Sequence, residues 1–332
     1  MKPVFTVVVP IYNVAKYMER CAISLFEQTF QGEIEYLFVD DASPDCSIEI
    51  LKSIVERYPD HKRMVKILRH EKNQGLAAAR LTGLMSASGD FIIHVDSDDW
   101  IDIHFVEKMY AKQQEFNADA VLCDAMYVYP DDCFVMSRRF DSDHTEYIRK
   151  LIRGNVPVAI WGIMVRRECA LKENALPIPG LNFGEDAATT PRILYYAKTI
   201  AYLPEALYYY ENSNPSSYSN NITQEIILQQ KQVSQVLHAF FQDKERFHEA
   251  LMTHDMLCRC TLLGQMDHMG CDKTVFLNII QTFPLVNLRQ CRLNRINFFI
   301  LTTSRIPSLP LWRYGVRLKR LVNRVRYRHK VK

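Results

Sequence analysis

Short apolar runs rich in β-branched residues alternate with helix-period stretches along the first hundred residues. The runs cover residues 5–9, 36–39, 64–68 and 91–95; the first stops at Pro10, the second at Asp40-Asp41 and the fourth at Asp96. Between them Val14, Tyr17, Cys21 and Leu25 recur at helical spacing. Ser43-Pro44 ahead of Ile48, Leu51, Ile54 and Tyr58 reads as an N-cap, a first-turn proline and an apolar face, and residues 76–87, rich in alanine and leucine, form a third helix. Such alternation predicts an α/β fold: parallel strands, right-handed crossovers, helices on both faces. Ligands of such sheets bind outside the carboxyl ends of the strands.

Three polar groups follow predicted carboxyl ends: Pro10-Ile11-Tyr12-Asn13, Asp40-Asp41 and Asp96-Ser97-Asp98-Asp99. The last sets three carboxylates behind the apolar run Phe91-Ile92-Ile93-His94-Val95. Hard oxygen donors suit Mg²⁺ or Mn²⁺, ions that keep water and take phosphate oxygens from a substrate. On its own the quartet also fits turn chemistry and the cap of a helix starting at Trp100. Convergence of three groups on one sheet edge favours a ligand site. No G-x-G-x-x-G follows the first strand and no G-x-x-x-x-G-K-[ST] occurs in the sequence, so neither a dinucleotide fold nor a P-loop is supported. Phosphate then has to be held by metal and side chains.

Val7-Val8-Val9-Pro10-Ile11-Tyr12-Asn13, Val39-Asp40-Asp41-Ala42-Ser43, Asn73-Gln74-Gly75-Leu76-Ala77-Ala78-Ala79-Arg80 and Asp96-Ser97-Asp98-Asp99-Trp100 resemble, in order and spacing, the successive motifs of family-2 glycosyltransferases with the GT-A fold. The likeness is strong to about residue 110, looser to about 220 and absent beyond. It implies a mixed, mainly parallel sheet flanked by helices, and it implies roles position by position. Tyr12, with Pro10 in the same motif, lies against a nucleobase; Asp40 accepts from the base's ring N–H; Arg80 sits near base and diphosphate. Asp96 is placed near ribose and metal, and Asp98 on the Mn²⁺ or Mg²⁺ that bridges the diphosphate.

Asn182-Phe183-Gly184-Glu185-Asp186-Ala187 reads in two ways. Acids at a helix start complement its dipole; by the resemblance they are catalytic. Inverting sugar transfer needs one carboxylate to take the acceptor hydroxyl's proton, and Asp186 is the first choice with Glu185 the second. Trp161 resembles an aromatic ahead of the acidic pair on which a sugar stacks; a core tryptophan is the other reading. Processive synthases of the family carry Q-x-x-R-W and several membrane spans. Neither occurs here, so transfer of a single sugar is expected.

Composition adds an appendage. The 332 residues carry 48% hydrophobic side chains and 9 cysteines, without framework spacing and without a recognisable leader. That suits a reducing cytosol. Cys258 and Cys260 with His254 and His268 do not follow a known zinc spacing and read as helix thiols. No apolar run reaches membrane-spanning length.

The net charge of +3 conceals an asymmetry: no acidic residue follows Asp272, whereas residues 273–332 hold 14 Lys or Arg, leaving residues 1–272 at about −11. Leu311, Tyr314, Leu318, Leu321 and Val325 alternate with Arg313, Arg317, Arg320, Arg324 and Arg328, a basic amphipathic helix suited to an anionic membrane surface. Its alternatives are packing on the domain and RNA binding; no nucleic-acid motif supports the latter.

The sequence therefore predicts a catalytic domain over residues 1–220, a helical region over 221–306 and a membrane-surface helix over 307–332. The expected function is metal-dependent, inverting transfer of one sugar from a nucleotide-diphosphate donor, a UDP-sugar by preference. The expected acceptor is a carbohydrate, lipid-linked and met at the inner face of the cell membrane in cell-surface polysaccharide synthesis. The rivals are a non-catalytic nucleotide-sugar or membrane-binding subunit, which has no need of a base, and a sugar nucleotidyltransferase. The latter calls for a glycine-rich, basic first loop, which residues 10–13 do not supply.

Overall fold

The computed structural model of the chain describes residues 3–214 and 224–269. The chain divides into two compact units, residues 1–151 with 156–217 and residues 152–155 with 218–332. The stripe from Leu311 to Val325 lies outside the described residues.

The first unit opens with β1 (Phe5–Ile11), α1 (Ala15–Phe26), β2 (Ile34–Asp40), α2 (Ser47–Arg57), β3 (Val65–Arg69), α3 (Leu76–Ser86) and β4 (Phe91–His94). Next come β5 (Trp100–Ile101), α4 (Phe105–Phe116), β6 (Ala120–Tyr129), β7 (Asp132–Met136), α5 (His144–Ile152) and β8 (Ile163–Arg166). The short α6 (Arg167–Ala170), α7 (Glu185–Tyr196) and β9 (Ile200–Glu211) complete it. One sheet runs β3-β2-β1-β4-β8-β6-β9-β5, and β7 pairs with the second half of β6 off this path. The first four strands pair in parallel, as their short apolar runs predict. β8 enters antiparallel between β4 and β6, which makes the sheet mixed.

Every residue of β1, β2 and β4 is buried, so these strands form the floor of the site. Pro10 lies two residues past the last β1–β4 pair, Val8 with His94, so the strand has left one neighbour before the residue without an N–H. α3 presses on this floor at Gly83, where an added Cβ would come within 2.3 Å of Val8.

Two local expectations are corrected. α2 begins at Ser47 rather than at Ser43-Pro44, because Ser43 and Asp45 are engaged elsewhere: Ser43 Oγ accepts the Asn13 N–H at 2.9 Å and Asp45 Oδ2 accepts the Ala15 N–H at 2.8 Å. The loop caps α1 as well as its own helix, since Asp45 Oδ1 accepts the Ser47 N–H at 3.1 Å. Trp100 starts no helix; with Ile101 it pairs antiparallel to β9.

In the second unit α8 (Gln224–Phe241) and α9 (His248–Met269) are joined through buried Asp255, which accepts from Ser234 and meets His238 Nε2 at 2.8 Å. His254 Nδ1 faces the Ile152 carbonyl at 2.9 Å, and its Nε2 lies 3.4 Å from Cys258 Sγ.

Candidate active site

Loops at the carboxyl ends of β1, β2 and β4 and the start of α7 build the site. Asp41, directly after β2, is buried and holds the loop before α3: its Oδ1 accepts the Gln74 N–H and its Oδ2 the Gly75 N–H, both at 2.8 Å. His70 clamps the same carboxylate, with Nδ1 2.6 Å from Oδ1 and Nε2 2.9 Å from Thr82 Oγ1 on α3. Gly75 has φ +91°, and a Cβ there would fall 2.2 Å from the Asn182 amide. Asn182 accepts the Ala77 N–H at 3.3 Å, so the segment before α7 is seated directly on the start of α3.

Arg80, on the first turns of α3, is the hub. It is 1% exposed, with Nη2 donating to Asp96 Oδ1 at 2.7 Å and Nε to Glu185 Oε1 at 3.3 Å. Burial works against its charge, but Asp96, Asp186 and Glu185 outweigh burial and keep it firmly protonated. Its Nη1 and Asp186 Oδ1 are buried and find no partner among the described residues. One guanidinium thus joins carboxylates 16 and 105 positions away in sequence.

The acid quartet divides into two kinds. Asp99 is structural: its Oδ2 accepts the Tyr208 hydroxyl at 2.6 Å and its Oδ1 the Glu211 N–H at 2.7 Å, tying the end of β4 to β9. Asp96 and Asp98 are only partly buried. Burial first, then the Asp96 charge, pushes Asp98 up to about 6, although Asn214 donates to its Oδ2 at 2.8 Å. Arg20 braces this loop, donating to the Asp98 carbonyl at 3.2 Å and to Glu211 at 2.8 Å while its guanidinium covers the Trp100 ring at 3.5 Å.

Mg²⁺ or Mn²⁺ fits Asp96 and Asp98. Both are hard oxygen donors, and a dication would relieve the repulsion that lifts Asp98. Among the described residues no group of three or more His, Cys, Asp or Glu is arranged as a metal cage. These ions do not require one, since water and substrate phosphate complete their shell.

Glu185 and Asp186 open α7 behind Gly184. Burial lifts both carboxyls, and their mutual repulsion lifts Glu185 further. The hydrogen bond between them raises Glu185 and lowers Asp186. Arg80 and the Ile160 backbone favour the ionised form of Asp186. Glu185 can accept from Arg80 in either protonation state.

Of the residues singled out from sequence, Asp96, Arg80, Glu185 and Asp186 are brought together, with Asp98 beside Asp96. Tyr12 stands 45% exposed after β1, while Pro10 is buried in it. Asp40 is buried at the end of β2, with Oδ1 accepting the Ser43 N–H at 2.8 Å and Oδ2 3.3 Å from Arg69. Trp161 is a correction: only 4% exposed, it stacks on Tyr208 at 4.5 Å and on Tyr210 at 5.4 Å inside the core cluster, so it is no open platform for a sugar.

Sequence reasoning missed Asp41, His70, Asn182 and Asn214 as supports. Asp41 and Asn182 lay within quoted motifs, and their type, an Asx side chain in a loop next to a strand or helix end, was the available signal.

A mainly parallel sheet whose strand ends carry paired acids, a buried arginine and a second acidic pair is the architecture of GT-A glycosyltransferases. The chain belongs to that class through Glycosyl transferase family 2, whose family model matches residues 6–174. Among its relatives, EpsH of Bacillus subtilis is 31% identical over 215 residues, 63% of this chain and 60% of EpsH. Glycosyltransferase GlyA of Streptococcus pneumoniae is 46% identical over 114 residues, 34% of this chain but 16% of GlyA. The fold matches the crystal structure of Staphylococcus aureus TarS 1-349 in complex with UDP-GlcNAc, with TM-score 0.73, 22% identity, and coverage of 97% of this chain and 92% of that one. The chain spans less than two thirds of the curated relatives named here.

Proposed function

We propose that this glycosyltransferase moves a single sugar, with inversion, from a UDP-sugar to the hydroxyl of a carbohydrate acceptor. The observation that carries the reading is Arg80, which holds the donor-side acid Asp96 and the pair Glu185-Asp186 in one buried cluster. A binding subunit has no need of that second pair.

Asp186 acts as the base. Its buried Oδ1, without a partner among the described residues, can receive the proton of the attacking hydroxyl. Glu185, accepting from Arg80 Nε at 3.3 Å, holds the start of α7, and with it Asp186, in place. Arg80 also offers Nη1 to a diphosphate oxygen. Tyr12, exposed after β1, supports the base ring, and Asp40 accepts from its N–H. A Mn²⁺ or Mg²⁺ held by Asp96 and Asp98 would neutralise charge on the departing nucleotide diphosphate. UDP is preferred because TarS, of the same fold, was crystallised with UDP-GlcNAc.

The test is thermal shift of the full chain with UDP-glucose, UDP-galactose and UDP-GlcNAc, with and without Mn²⁺. A ligand at 100 times its Kd stabilises by about 2.7 kcal/mol. Absence of any Mn²⁺-dependent shift with all three donors would overturn the reading.

The basic stripe of residues 311–328 supports a lipid-linked acceptor met at an anionic membrane surface, where each Lys or Arg contributes about 1 kcal/mol. Among the described residues no helix is long and apolar enough to cross a membrane. Truncation before Leu311 should abolish salt-sensitive binding to vesicles containing phosphatidylserine; retained binding would refute the surface role.

A further inference from the structure

We infer that Arg20 and Asn214 are positioning residues for the metal, serving it by fixing Asp98 from two sides; the inference rests on the reading of Asp96 and Asp98 as the metal's carboxylates. Asp98 lies in the turn that links β4 to β5, so no strand or helix hydrogen bond sets its orientation. Two distant residues do so instead. Arg20, on α1 and 78 positions earlier, donates from Nη2 to the Asp98 carbonyl at 3.2 Å. Asn214, just past β9 and 116 positions later, donates from Nδ2 to Asp98 Oδ2 at 2.8 Å. The backbone and the carboxylate of one residue are thus held separately.

The two braces are themselves joined. Arg20 Nη2 also meets Glu211 Oε2 at 2.8 Å. Glu211 Oε1 in turn accepts the Ser213 N–H at 3.1 Å and the Ser213 hydroxyl at 2.6 Å, one residue short of Asn214. The circuit from Asp98 through Arg20, Glu211 and Ser213 to Asn214 and back to Asp98 is therefore closed. Glu211 and Asn214 are both buried, which shields its bonds from water. The Arg20 guanidinium, 3.5 Å from the centre of the Trp100 ring, is steadied from its flat side, and Trp100 stacks on Tyr209 at 5.1 Å with the ring planes 6° apart.

Each bond has a consequence for a dication. An amide N–H on Oδ2 fixes the plane of the Asp98 carboxylate, and hydrogen bonds of this kind to a ligating carboxylate are worth about 10- to 100-fold in metal affinity. A cation next to the metal's loop would by itself repel Mn²⁺ or Mg²⁺. Glu211 cancels that repulsion, because at 2.8 Å it pairs with Arg20 and leaves the guanidinium to supply geometry without net charge. Only an arginine can do this. One planar group serves two acceptors while its face covers a ring, whereas a lysine brings the charge without the plane.

The test measures UDP affinity of the full chain by isothermal titration calorimetry across a series of Mn²⁺ concentrations and reads the concentration at half-maximal enhancement. Asn214→Ala removes an uncharged donor and Arg20→Lys keeps the charge, so neither acts by changing the local electrostatics. Each should raise the Mn²⁺ midpoint about 10- to 100-fold, with UDP affinity in the absence of Mn²⁺ unchanged. Arg57→Lys, the same exchange in the exposed pair with Glu19 at 2.9 Å, should leave the midpoint where it is. Circular dichroism checks that the variants fold; if Arg20→Lys does not, Arg20→Gln replaces it. A wild-type midpoint in either variant overturns the role of that residue, and so does a parallel fall in metal-free UDP affinity, the mark of general damage to the site. A wild type whose UDP affinity ignores Mn²⁺ would instead remove the metal reading itself, and the positioning role with it.

Discussion

Arg80→Leu isolates the contribution of the hub. The guanidinium is 1% exposed, with carboxylate oxygens at 2.7 and 3.3 Å, and its loss strands Asp96, Glu185 and Asp186 around an apolar side chain. Removing one partner of a buried ion pair costs about 3–5 kcal/mol, a large share of the roughly 5–15 kcal/mol that holds a domain together. The cost should depend on pH. Burial already holds Glu185 and Asp186 above the ordinary carboxyl range of the unfolded chain, and loss of the Arg80 charge that lowers them raises both further. Stability tied to a raised carboxyl is fully present below the unfolded pKa and is lost as pH rises through the folded one. The destabilisation should therefore be larger at pH 8 than at pH 5. Urea unfolding followed by circular dichroism at both pH values reads it directly. In the combination Arg80→Leu, Asp96→Asn, Asp186→Asn much of the loss should return, because fewer buried charges are left uncompensated. A loss below about 1 kcal/mol, or a larger loss at pH 5 than at pH 8, would refute the argument.

Three further outcomes are expected. Asp98→Asn should stabilise the metal-free protein at pH 8: its folded pKa of about 6 lies above the ordinary carboxylate value, so its ionisation opposes folding at high pH. The gain should fade toward pH 4, as urea titrations across that range will show, while Mn²⁺-dependent UDP binding is lost. Asp186→Asn should retain UDP affinity but lower kcat by roughly 10² to 10⁴, read by UDP release; full activity would transfer the role of base to Glu185. Gly75→Ala should cost about 1–3 kcal/mol, measured as a fall in denaturation midpoint, because φ +91° is strained for alanine and the Asn182 amide occupies the Cβ position.

The order of strands and helices in the first hundred residues was legible because β1, β2 and β4 are buried along their whole length, and such strands read as unbroken apolar runs. The antiparallel entry of β8 was not, since residues 163–166 are few and carry no periodic signal. In the site, the acids and Arg80 stood out within motifs. The fate of Trp161 did not, because stacking on Tyr208 and Tyr210 depends on which strands become neighbours. Asp45 was invisible as a cap for the same reason: it serves a helix 30 positions earlier.

That displaced capping has a consequence for assembly. Gln74 and Gly75 donate their amides to Asp41, 33 and 34 positions away, and Ala15 donates to Asp45, so the starts of α1 and α3 are completed only once distant loops have docked. Neither helix start can mature as an autonomous local unit; each waits for β2 to take its place. Amide hydrogens at these three positions are therefore gauges of intact loop docking: in hydrogen exchange they should become accessible together, and only when the pocket comes apart.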